Sequence, residues 1–95
     1  MFFQTYPWLA SFHESKDILF DFTNTRYINS AGIALLIRYV REARQKEYFC
    51  YAVGVSSHYQ KIFRIVGLSS YIENFPDAFS FFERMRLRRS YSNER

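Results

Sequence analysis

The chain is poor in cysteine, glycine and proline, and each shortage excludes something. Cys50 is the one cysteine in 95 residues, so no disulfide can form within the chain. A lone thiol points to a reducing compartment, and a cytoplasmic location is expected. The three glycines, Gly32, Gly54 and Gly67, lie apart and leave no glycine-rich phosphate loop. Two prolines and no biased tract leave no linker or low-complexity segment. No run of eighteen apolar residues occurs, so a membrane-spanning helix is not expected. The start, Met1 to Pro7, lacks the basic residues and long apolar core of a signal peptide.

Enzyme chemistry is equally thin. His13, His58 and Cys50 are far apart in the sequence and make no metal-ligand spacing. No paired carboxylates and no defensible Ser/His/Asp order stand out. A non-catalytic protein without cofactor or metal is the expectation.

What the chain has is apolar and aromatic bulk. Hydrophobic residues make up 48% and aromatic residues 21%, enough to build a core and to exclude disorder of the whole chain. The length suits one domain. We place that domain at 1–86 and a basic, frayed tail at 87–95. Residues 84–95 hold five arginines and one glutamate, which equals the whole formal excess of +4. Residues 1–83 are formally neutral, so the basicity is expected to sit in the tail and not on a folded face.

The order of elements follows from the apolar pattern. Asp17 to Phe22 and Tyr48 to Val55 are nearly continuous apolar runs, which suit strands covered on both faces of a parallel sheet. Between them, Ile33, Leu36, Ile37, Val40 and Ala43 recur at helical spacing over Ser30 to Lys46. Arg38, Arg41, Glu42 and Arg44 fill the other side. A second helix is capped by Ser56 or Ser57 and closed by Gly67, with Tyr59, Ile62, Phe63 and Val66 on its inner face. A short extended piece is expected near Ser70 to Glu73. Pro76 and Asp77 open a last helix with Ala78, Phe82 and Met85 inward. Tyr6, Leu9, Ala10 and His13 fit a short helix near the start. The fold class is therefore α/β, a small, mostly parallel sheet with amphipathic helices packed on it.

Asp17 to Gly32 reads Asp-Ile-Leu-Phe-Asp-Phe-Thr-Asn-Thr-Arg-Tyr-Ile-Asn-Ser-Ala-Gly. This resembles the STAS family, the anti-sigma-factor antagonists of bacteria and their relatives. The family pattern is a buried strand ending in aspartate, a short loop, and Asp-Ser-Ser-Gly or a variant opening a helix. Asp21 matches the strand aspartate, and Asn29-Ser30-Ala31-Gly32 matches the helix opening. Tyr51 to Ser56 looks like the next strand and turn, Ile62 to Leu68 like the helix ending in Gly-Leu, and Ala78 to Phe82 falls on the terminal helix. The likeness covers about residues 17 to 86.

Two departures stand out. Asn29 replaces the aspartate of many members. The β-hairpin with which STAS domains usually begin is also not evident. Its absence would open a sheet edge to a homodimer, strand exchange or a partner's strand.

The resemblance implies a regulatory protein-binding module. Its partner would be an anti-sigma factor that is also a serine kinase, and Ser30 would be the phosphorylated residue. Ser30 is also a preferred residue for capping the helix, and the two roles can coexist. Ala31 and Gly32 are small enough for close packing or close approach of a partner. Asp21, Asn24, Thr25 and Asn29 border Ser30 as turn formers and partner contacts, and Arg38 and Arg41 offer a charged face to an acidic surface. A second reading is an accessory subunit on the ATPase of a lipid-transporting ABC system, using the same helix face without phosphorylation. A third is salt-sensitive attraction of the arginine tail to nucleic acid, the weakest of the three.

Overall fold

A computed structural model of the chain describes residues 12–14 and 17–93. The chain order is β1 (Phe12–Glu14), β2 (Asp17–Asp21), α1 (Ser30–Gln45), β3 (Phe49–Val53), α2 (Ser57–Ile65), a 3-10 turn (Leu68–Ser70), β4 (Ile72–Phe75) and α3 (Ala78–Asn93). The four strands form one sheet in the order β1-β2-β3-β4. The β2–β3 and β3–β4 ladders are parallel, with Leu19 opposite Tyr51 and Ala52 opposite Asn74. The β1–β2 ladder is antiparallel, with His13 opposite Ile18. The expected α/β class with a mostly parallel sheet is what the chain forms.

Side chains alternate across the strands, and the two faces carry separate cores. Phe20, Cys50, Ala52 and Ile72 face α1 and α2, where they meet Leu36, Val40, Ala43, Tyr59 and Phe63. Leu19, Tyr51 and Val53 face the other way, onto Phe81 and Met85 of α3. The sheet is thus sandwiched between two helical layers. This is why its strands read as continuous apolar runs and not as alternating ones. Phe22 and Phe63 meet edge to face at 5.9 Å, anchoring α2 to the end of β2.

Several local expectations need revision. His13 lies in strand β1 and not in a helix; Tyr6, Leu9 and Ala10 lie outside the described residues. As expected, the front of the domain is short: a three-residue strand, β1, precedes α1 and pairs antiparallel with Asp17 to Leu19 of β2, lining that part of its edge. The segment from Leu68 to Ser70 is a 3-10 turn, and β4 begins only at Ile72. Gly67 closes α2 in the left-handed region, at φ 87, while Val66 caps the helix and is 42% exposed instead of facing the core.

On α3, Phe81 is fully buried and Phe82 is 48% exposed, the reverse of the expected Phe82 contact. Three phenylalanines in four residues hide the helical period there. Asp77 accepts from the Ser80 N–H at 2.8 Å and opens α3, which continues past Leu87 to Asn93.

Candidate functional site

The candidate site is built where β2 leaves the sheet and α1 begins. Asp21 ends β2, and its Oδ1 accepts from the Thr23 N–H at 2.9 Å. The Thr25 N–H donates to the Phe22 carbonyl at 2.9 Å and closes a turn with Thr23 and Asn24 exposed at its tip. The Thr25 hydroxyl oxygen is buried without a hydrogen-bond partner among the described residues.

Gly54, just past β3, makes room for this turn. Its φ is 75, and a Cβ there would stand 2.8 Å from the Cα and N of Thr23. Only glycine accommodates both the left-handed backbone and that approach.

The chain then exposes Tyr27, at 74%, and buries Ile28. Tyr59 of α2 grips Ile28 by both backbone groups. Its hydroxyl accepts from the Ile28 N–H at 2.9 Å and donates to the Ile28 carbonyl at 3.3 Å. The loop is therefore tied to α2 immediately before α1 starts.

The first turn of α1 corrects the expectation that Ser30 caps it. Asn29 is the cap: its backbone is extended, at φ −78 and ψ 174, and its Oδ1 accepts from the Gly32 N–H at 2.8 Å. The Asn29 carbonyl accepts from the Ile33 N–H at 3.0 Å. Ser30 is the first helical residue and is exposed, and its hydroxyl has no hydrogen bond among the described residues. Ala31 is exposed beside it, and Gly32 is buried.

Ser30, Ala34, Arg38 and Arg41 are all exposed and fall on one stripe of α1. The rise of a helix places Arg38 and Arg41 roughly 12 and 16 Å from Ser30 along the axis. The fold thus gathers Asn29, Ser30, Ala31 and Gly32 at the head of α1, with Asp21 at the end of β2 and Asn24 and Thr25 in the turn that follows it. No hydrogen bond joins the Asp21 carboxylate to Ser30; its described partner is the Thr23 N–H.

The charge distribution also departs from expectation. The neutral sum over residues 1–83 conceals segregation. Arg26, Arg38, Arg41, Arg44, Lys46, Lys61 and Arg64 all lie on the α1–α2 side of the chain or in the loop leading to it, against only Glu42 and Glu47. All seven are exposed, and none forms an ion pair among the described residues. The ion pairs that do occur use arginines of α3: Arg84 with Glu73 and Arg86 with Glu83 at 2.8 Å, and Arg88 with Asp17 at 3.8 Å. The unpaired basic surface therefore belongs to the helical layer that carries Ser30, and not to the tail alone.

Three contributors escaped sequence reasoning. Tyr59 reads as an ordinary inner-face residue, and only its need for a polar partner hinted at more. Gly54 reads as part of the apolar run from Tyr48 to Val55. Tyr27 gives no signal before its exposure is known.

Among the described residues, no group of three or more His, Cys, Asp or Glu side chains could hold a metal ion, and no helix is long and apolar enough to cross a membrane. Burial pushes the Cys50 thiol up to about 11, away from reactivity.

No curated protein and no solved structure matches the chain. A protein-family model described as STAS domain matches residues 7–83. That match covers the four strands, α1, α2, the Ser30 turn and the start of α3, and it supports a general regulatory or protein-binding role of a kind that is generally non-catalytic. The chain belongs to the STAS domain family.

Proposed function

We propose that the protein is a non-catalytic switch of the anti-sigma-factor antagonist type, acting in a bacterial cytoplasm. It binds a serine kinase that is also an anti-sigma factor, through the head of α1. The observation that carries this reading is the division of labour between two neighbours. Asn29 takes the capping role, so the exposed Ser30 hydroxyl is left without a partner among the described residues, at a helix N-terminus. A hydroxyl engaged as a cap would have to give up that bond to be phosphorylated; this one does not.

The local charge supports a switch. A phosphate adds about −1.5 to −2 charges. The helix N-terminus accommodates it without unfolding. The stripe below it is basic, through Arg38 and Arg41, and fits an acidic partner surface. Phosphate at its head repels that same surface.

Incubation with the partner kinase and ATP, followed by mass spectrometry, tests the reading. Phosphate on Ser30 is expected, and Ser30→Asp is expected to weaken partner binding about tenfold or more, a loss of ~1.4 kcal/mol. An unmodified Ser30 together with unchanged binding by Ser30→Asp overturns it. Co-purification with the ATPase of a lipid-transporting ABC system, in place of a kinase, moves the reading to an accessory subunit using the same stripe.

A further inference from the structure

The far end of the α1–α2 layer carries a second surface, independent of Ser30. Helix α1 places its last turn roughly 22 Å from Ser30. Arg44 lies in the last turn of α1, with its guanidinium stacked 4.0 Å over the Tyr71 ring, and Lys46 is the C-cap of that helix. The Tyr71 N–H donates to the Leu68 carbonyl at 2.9 Å, which ties this ring to the turn that follows α2. On α2, Lys61, Arg64 and Ile65 occupy positions i, i+3 and i+4, one contiguous patch.

Ile65 is 81% exposed, the most exposed of the large hydrophobic residues described; Val66, next to it in the chain, is 42% exposed, and Tyr71, just past the 3-10 turn that follows α2, is 45% exposed. The four cations make no ion pair among the described residues, and Glu47 is the acid adjoining Lys46. The helix macrodipole accounts for a cation in each last turn, Arg44 and Arg64. It does not account for an aliphatic side chain standing almost fully in water next to Arg64 and one helical turn from Lys61.

We propose that this end of the domain docks on an anionic lipid surface. Protruding Ile65 and Val66 enter the interface, Tyr71 lies at headgroup level, and Arg44, Lys46, Lys61 and Arg64 meet lipid phosphates. The long aliphatic stems of the lysines and arginines follow the apolar residues inward while their charges stay at the headgroups. Shape selects a bilayer over a protein partner. A side chain as exposed as Ile65 protrudes, and a protein must supply a matching pocket for it, whereas a bilayer interface receives it without one.

The experiment is co-sedimentation of the full chain with phosphatidylcholine vesicles, with and without phosphatidylglycerol. Binding is expected only when phosphatidylglycerol is present. Ile65→Asp is expected to lower it roughly tenfold or more, because it removes a buried aliphatic group and adds a repelled charge. Lys61→Gln with Arg64→Gln should lower it too, and circular dichroism should show these surface variants folded. Ser30→Asp and Arg86→Gln should bind as the parent does.

The proposal is overturned if phosphatidylglycerol vesicles do not bind. It is overturned equally if Ile65→Asp binds like the parent, which leaves unspecific charge attraction. Loss through Arg86→Gln instead would assign the binding to α3. Because Ser30→Asp is a separate arm, failure here leaves the partner-binding reading of Ser30 untouched.

Discussion

The hydroxyl of Tyr59 closes a two-way hydrogen-bonded clamp on the backbone of Ile28, accepting at 2.9 Å and donating at 3.3 Å across 31 positions of sequence. Both ends are buried. Ile28 lies one residue before the α1 cap, so this clamp sets where Asn29 and Ser30 emerge. Tyr59→Phe keeps the ring and strands two backbone groups without water. It should destabilise the fold by about 1–3 kcal/mol, the cost of unsatisfied buried polar groups. Urea unfolding measures this, and amide exchange at Ile28 should accelerate. A variant as stable as the parent, with Ile28 still protected, would show that the clamp contributes nothing.

Asn29 and Ser30 make a matched pair of opposite expectations. Asn29→Ala removes the side chain that accepts from Gly32. It should cost about 1 kcal/mol, the usual loss for a missing helix cap. Asn29→Asp should keep the cap. Ser30→Ala removes a hydroxyl that holds nothing in the described structure and should stay within about 0.5 kcal/mol of the parent. Thermal melts of the three variants test the order. Equal losses at both positions would return the capping role to Ser30 and weaken the case for a free hydroxyl.

Much of this architecture was legible before the fold was known. The apolar runs of β2 and β3 and the spacing of Leu36, Val40 and Ala43 are dictated by burial, and burial leaves a periodic trace. The candidate site was legible as a place, the head of α1, but not in its geometry. Asn29 and Ser30 are both good caps, and the choice is made by which residue keeps extended backbone angles, a property the loop settles. The clamp from Tyr59 is a tertiary contact with no local pattern. Phe79, Phe81 and Phe82 share one stretch, so the inward face of α3 is decided by the sheet beneath it. Charge misled for a different reason. A sum along the chain is blind to segregation, and the acids of β2, β4 and early α3 cancel the cations of α1 and α2 only on paper.

Two glycines with left-handed backbones should respond differently to the same substitution. Gly67 has open space where a Cβ would go, whereas the Cβ of Gly54 would stand 2.8 Å from the Thr23 backbone. Gly67→Ala carries only the conformational penalty, about 1 kcal/mol. Gly54→Ala carries that penalty and must also push the Thr23 turn away from β3, so it should lose clearly more, of order 1–3 kcal/mol beyond Gly67→Ala. Urea denaturation of both variants gives the comparison. Because the displaced turn contains Asn24 and leads toward Ser30, Gly54→Ala should also weaken partner binding, while Gly67→Ala leaves it unchanged. Equal stability losses would mean that the turn yields freely and that Gly54 does not position it.

The buried thiol of Cys50 gives the last test, and its sign is fixed by burial. Desolvation raises its pKa from 9.0 to about 11, and the same cause raises that of Tyr51 on the other face of β3. Both groups hold their protons more tightly folded than unfolded. Their contribution to stability is therefore complete below the unfolded values and declines as pH rises through the folded ones. For Cys50 the window opens near pH 9 and closes near pH 11. Stability measured by urea unfolding should be insensitive to Cys50 ionisation at pH 7 and fall between pH 9 and 11. Cys50→Ala should show a shallower fall, with the remaining slope carried by other groups, Tyr51 among them. Native protein at pH 8 should react with a thiol reagent far more slowly than unfolded protein, because thiolate is scarce and the sulfur is covered. Rapid native modification, or an alkaline slope identical in Cys50→Ala, would place this thiol in water and contradict its position in the core between β3 and the α1–α2 layer.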